Sequence, residues 1–166
     1  MFKEIALGLV LAATAGTVQA AETGHCGSGE TSWFNAAVEG TGKMVSICGS
    51  ASLDAAGAWL DYRFGKPGNV ELQFPGDHAN SLSAFTIRRY TRPGTTYLKL
   101  DFTNGGYTYA ILEGFEAGSD PESTATLRVR RNSDGMDVAS FDLRLLTDPL
   151  NMMRFEDKVP TEPFDE

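Results

Sequence analysis

Tight-turn signatures limit what this chain can fold into more than any other feature. Lys66-Pro67-Gly68-Asn69 and Arg92-Pro93-Gly94-Thr95 each set proline where φ must lie near about −65° and glycine where φ must be positive, the demand of a type II turn. Asn104-Gly105-Gly106 and Asn132-Ser133-Asp134-Gly135 supply the residues that tight hairpins require. The stretches between these turns alternate with the period of a strand. Leu98, Leu100 and Phe102 share one face against Tyr97, Lys99 and Asp101 on the other. Leu60, Tyr62 and Phe64 alternate with Trp59, Asp61 and Arg63, and Val70, Leu72 and Phe74 with Glu71 and Gln73.

Further strands are predicted at 33–38, 43–48, 85–90, 107–112, 125–131 and 137–145. No long helical period runs between Trp33 and Leu145. About nine short strands in sequential hairpins therefore predict an all-β fold, an antiparallel barrel or sandwich. Leu150, Met153 and Phe155 fit one or two helical turns within 148–159. The stretch from Pro160 onward, with Pro160 and Pro163 among acids, is expected to be mobile.

The first 20 residues carry Lys3, an apolar run and Val18-Gln19-Ala20, the pattern of a secretory signal with cleavage before Ala21. A membrane span needs about 20 consecutive apolar residues, and Thr14, Thr17 and Gln19 interrupt this run. Thr23-Gly24-His25 ahead of Cys26 lacks the small-apolar lead of a lipoprotein, so no stable membrane anchor is expected. Three segments follow: a signal peptide at 1–20, a single β domain at 21–146 and an acidic C-terminal tail at 147–166. The expected location is periplasmic or secreted.

Export decides how the cysteines are read. Cys26 and Cys48 are the chain's two cysteines, and an oxidising compartment makes a disulfide between them the expectation. Closing that loop contributes about 3 kcal/mol in the chain-entropy view. Zinc or redox chemistry lacks support, because no Cys-x-x-Cys occurs and no acid cluster has metal-loop spacing. Neither a metal nor a cofactor is expected.

Charge bounds the partners. A formal charge of −8 argues against nucleic acid, whose phosphates need a basic face. Residues 147–166 hold six acids against two bases, so half the net charge sits in the tail. Against this background, 87–99 carries Arg88, Arg89, Arg92 and Lys99 with Tyr90 and Tyr97 and no acid. Arginine forks and tyrosine faces suit an anionic ligand or a protein partner, and hairpin tips are where such sites form. Arg128, Arg130 and Arg131 extend the patch if their strand lies nearby. The competing reading is a solvated sheet edge whose charges prevent association and dock the acidic tail.

Catalysis finds less support. His25 and His78 are the two histidines, and neither stands in a recognisable motif. Gly27-Ser28-Gly29 lacks the strand and helix of a nucleophile elbow. No catalytic residue is assigned, and a hydrolase ranks last. An apolar-ligand carrier ranks second, with Tyr107, Tyr109, Ile111, Trp59 and Phe115 as lining residues. The Gly-x-Trp opening of lipocalins is absent, Trp33 following Thr31-Ser32. The leading expectation is a non-enzymatic binding or inhibitory module acting through Arg88, Arg89, Tyr90, Arg92, Tyr97 and Lys99.

Val45-Ser46-Ile47-Cys48-Gly49-Ser50, Tyr62-Arg63-Phe64-Gly65-Lys66-Pro67-Gly68, Glu71-Leu72 and Asn104-Gly105-Gly106-Tyr107 together resemble a group of uncharacterised small exported proteobacterial β proteins. The resemblance covers most of the mature chain. It implies a secreted β domain with a disulfide, and carries over no activity and no site.

Overall fold

A computed structural model describes residues 24–164, so the secretory signal expected at 1–20 lies outside the described residues. The fold is all-β. Strands β1 (Thr31–Val38), β2 (Lys43–Gly49), β3 (Leu60–Lys66) and β4 (Asn69–Phe74) form one meander. Strands β5 (Thr86–Arg92), β6 (Thr95–Asn104), β7 (Tyr107–Glu116), β8 (Glu122–Arg131) and β9 (Asp137–Leu145) form a second. Antiparallel pairing of β9 with β1, through Ala36 opposite Leu145 and Val38 opposite Leu143, joins the two. The whole curls into a half-barrel.

The turns form where the sequence predicts them. Gly68 and Gly94 adopt φ of 76° and 78°, values a side chain would make costly, and each follows the proline of its hairpin. Two short 3-10 helices, Ser81–Ala84 and Asn151–Phe155, interrupt the strand pattern.

The tail departs from expectation. A tenth strand, β10 (Thr161–Pro163), pairs parallel with Ile87–Arg89 of β5 and makes the sheet mixed. The stretch before it is anchored as well. Met152, Phe155 and Val159 are buried in the same core as the strands, and Arg154 lies 4.2 Å over the Trp33 ring. Burial of each such apolar side chain contributes about 1.5–3 kcal/mol, which fastens the segment to the sheet. The prolines of 160–163 are tolerated because β10 is an edge strand.

Aromatic rings fill the inner face. Phe102 stacks on Tyr109 at 5.0 Å and on Phe74 at 4.3 Å, and Tyr62 and Phe85 close on it at 4.8 and 5.6 Å. Trp33, Phe34, Leu60, Ile87, Leu98, Leu100 and Leu127 complete the core.

The outer face of β1–β3 is also covered, which the alternation alone does not foresee. The Cys26–Cys48 disulfide binds the N-terminal segment there, and the His25 backbone N–H donates to Ser46 Oγ at 2.9 Å. Asp61, which alternates with the core residues Leu60 and Tyr62 and so points to this outer face, is consequently fully buried.

Candidate functional site

The hairpin of β5 and β6 faces Arg88 with Lys99, Tyr90 with Tyr97 and Arg92 with Thr95. Because strand side chains alternate, Arg88, Tyr90, Arg92, Tyr97 and Lys99 all project to the solvent face, opposite the core residues Leu98 and Leu100. Arg89 does not join them. It lies opposite Leu98 and turns the other way, where its Nε meets Glu156 Oε1 at 3.1 Å. Five of the six expected residues therefore gather, and the sixth anchors the C-terminal segment instead.

The next strands widen the surface. Lys99 neighbours Leu112 of β7, and Ala110 and Thr108 of β7 lie opposite Arg128 and Arg130 of β8. Small side chains at the β7 positions leave a depression between the β5–β6 cations and the β8 cations. The result is a groove of about 900 Å³ lined by Arg88, Arg92, Lys99, Arg128 and Arg130, with Asp101 and Asp137 as its two carboxylates. Arg131 projects to the opposite face, next to Asp134 at 2.8 Å.

Gly114 shapes one wall. It sits opposite Tyr97, and a Cβ there would come within 3.1 Å of the tyrosine ring, so its absence lets the ring lie against β7. The Tyr97 hydroxyl donates to the Glu116 carboxylate, which raises its pKa above the ordinary value.

The chain's own C-terminal residues border this groove from the edge of β5. Glu162 accepts from Arg88, which also bonds Asp101. Phe164 lines the groove with its ring centroid 6.3 Å from that of Tyr90 and 6.4 Å from that of Tyr97, and Lys99 Nζ lies 5.7 Å from its ring. Arg92 and Arg128 make no ion pair among the described residues. The acidic composition of the tail signals that a basic surface is available to it, but the pairing register is a tertiary fact.

A second polar cluster surrounds Asp61. Its Oδ2 accepts from Gln73 Nε2 at 2.7 Å and Arg63 Nη2 at 3.1 Å, and lies 3.1 Å from His78 Nε2. The His78 ring stacks on Trp59 with centroids 3.7 Å apart. Arg63 forms a two-pronged pair with Glu30 at 2.6 and 2.9 Å and holds that carboxyl below its ordinary pKa. A carboxylate orienting a histidine is one half of a general-base arrangement, and the described residues show no hydroxyl hydrogen-bonded to that ring. His78 stands in no recognisable motif of the sequence, and nothing local marks Asp61 as its partner.

Cys26, Cys48 and Glu30 bring potential ligand atoms within 4.8 Å of one another, but the disulfide uses both sulfurs. Among the described residues no helix is long and apolar enough to cross a membrane. Comparison with protein-family models, with curated proteins and with solved structures finds no match for this chain.

Proposed function

We propose that this is an exported, non-enzymatic binding module whose groove across β5–β8 takes an anionic ligand. The carrying observation is the collection of five cations and the Tyr90 and Tyr97 rings in one groove of a chain whose net charge is −8. Arginine supplies directional, paired hydrogen bonds to carboxylate, phosphate or sulfate, and the tyrosines add flat apolar faces beside them. Such a surface binds without needing a nucleophile or a general base. The secretory pattern at 1–20 and the Cys26–Cys48 disulfide support a periplasmic or secreted setting.

Thermal-shift titration of the full chain with inorganic phosphate, a sulfated oligosaccharide and an acidic peptide tests the assignment. At least one probe is expected to raise the melting temperature, and Arg92→Ala/Arg128→Ala is expected to abolish the rise. Equal shifts in both proteins, or none in either, would sink the groove as the binding site. Cell fractionation with N-terminal sequencing checks export, with a mature chain starting at Ala21 as the expected result.

A further inference from the structure

The tail at the edge of the groove reports what kind of anion the groove fits. Residues 161–163 do not simply lie near the cations. They add to β5 as a parallel strand, with Thr161 opposite Ile87, Glu162 opposite Arg88 and Pro163 opposite Arg89, and the Ile87 N–H donates to the Pro160 carbonyl at 2.8 Å. Strand addition then carries Phe164 to Tyr90, Tyr97 and Lys99. The groove thus offers an open backbone edge, an arginine for a carboxylate and an aromatic seat, in one line. A small anion uses the second alone, whereas an extended polypeptide uses all three.

The resident strand fills this line incompletely. β10 is three residues long and exposed along its length, and the Glu162 side chain remains 55% exposed. β5 continues to Arg92, three residues past Arg89, and no strand among the described residues pairs with that stretch on the β10 side. Arg92 closes that stretch on the groove face and makes no ion pair among the described residues.

We propose that the groove receives an extended acidic strand of a partner polypeptide, added parallel to β5 with an aromatic side chain seated between Tyr90, Tyr97 and Lys99, and that residues 161–164 hold this place in its absence. The inference rests on the groove being an anion-binding surface and names its ligand class. The tail acts as a tethered competitor. Its effective concentration, on the order of millimolar for a short tether, sets the threshold a partner strand must exceed, and a longer strand that pairs along β5 as far as Arg92 exceeds it.

Fluorescence anisotropy on the full chain tests this with a labelled peptide of the sequence 159–166. Two proteins are compared: wild type, and Glu162→Arg/Phe164→Ala, which loosens the tethered strand while leaving every groove residue on β5–β8 in place. Thermal melts confirm that both are folded. The loosened variant is expected to bind the peptide saturably and at least tenfold more tightly than wild type. A peptide with alanine at the position of Phe164 is expected to bind it at least tenfold more weakly. Absence of saturable binding to the loosened variant, equal affinity of the two proteins, or indifference to the phenylalanine would each overturn the inference. If the loosened variant binds the sulfated oligosaccharide but not the peptide, the groove remains an anion site and the strand inference fails; if it binds neither, both fail. Sedimentation showing a wild-type dimer that dissociates on Phe164→Ala would make a second copy of this chain the occupant and overturn the partner.

Discussion

Glu113, buried to 1% exposure in β7, accepts the backbone N–H of Met152 through Oε2 at 3.1 Å. The bond ties the 3-10 helix Asn151–Phe155, and through it the edge strand β10 that follows, to the inner face of the sheet. The contact comes at a cost in charge. Desolvation pushes the Glu113 pKa up to about 7 from 4.5, the N–H groups of Met152 and Asn151 only partly offsetting it, and Oε1 has no partner among the described residues.

The sign of the resulting pH dependence follows. Folded Glu113 holds its proton to a higher pH than unfolded Glu113, so its contribution is fully present below about pH 4.5 and is lost as pH rises through about 7. The gap corresponds to about 3 kcal/mol at most. Glu113→Gln keeps an acceptor for Met152 and removes the ionisation. Denaturant titrations at pH 5 and pH 8 are expected to show wild type losing stability between them from this group and the variant losing less, with the variant the more stable at pH 8.

The wall of the groove is sensitive to a single methyl group. A Cβ on residue 114 would lie 2.7 Å from Thr124 Oγ1 and 3.1 Å from two carbons of the Tyr97 ring. Gly114→Ala therefore displaces Tyr97, at a cost of about 1–2 kcal/mol for the overpacking. The melting temperature is expected to fall by several degrees, and affinity for any groove ligand to fall with it.

The turn chemistry and the alternation of 60–64, 70–74 and 97–102 make the strands legible because each depends on residues close in sequence. Pairing of β9 with β1 does not, since the two contacting edges are separated by most of the chain. Val38 and Leu143 carry no mark of each other. Arg89 is a different case: the same local alternation that turns Arg88 to the groove turns its neighbour to the opposite face, and only the Glu156 carboxylate that it meets there is a distant contact. Separation along the chain also explains Asp61 and Phe164. A cover over the outer face of β3 and a strand at the end of an acidic tail are both products of contacts between distant segments, and only their charge is written locally.

Glu30 gives the opposite pH signature to Glu113. Arg63 hydrogen bonds, assisted by the Gly27 N–H at 2.6 Å, lower its pKa, so its contribution is present above the unfolded value of 4.5 and lost as pH falls through the lower folded value. Glu30→Gln is expected to cost about 1–2 kcal/mol near neutral pH and little in strong acid, read by denaturant titrations across the acid range.

Asp61 and His78 can be separated as structural and exposed members of one cluster by comparing two truncations. Asp61 is fully buried, and its Oδ2 receives Arg63 and Gln73 as well as facing the histidine. Asp61→Ala removes all three contacts, leaves the inner prong of Arg63 without its carboxylate and opens a void beside Cys48, its cross-strand neighbour. Breaking a buried pair in this way costs about 3–5 kcal/mol. The His78 side chain is 45% exposed, and its removal leaves the Arg63 and Gln73 bonds intact, so His78→Ala is expected to cost about 1 kcal/mol. Denaturant midpoints of the two variants decide the matter: a His78→Ala loss equal to that of Asp61→Ala would mean that the stacked Trp59–His78 pair, and not the Arg63–Asp61 contact, holds this face of the sheet closed.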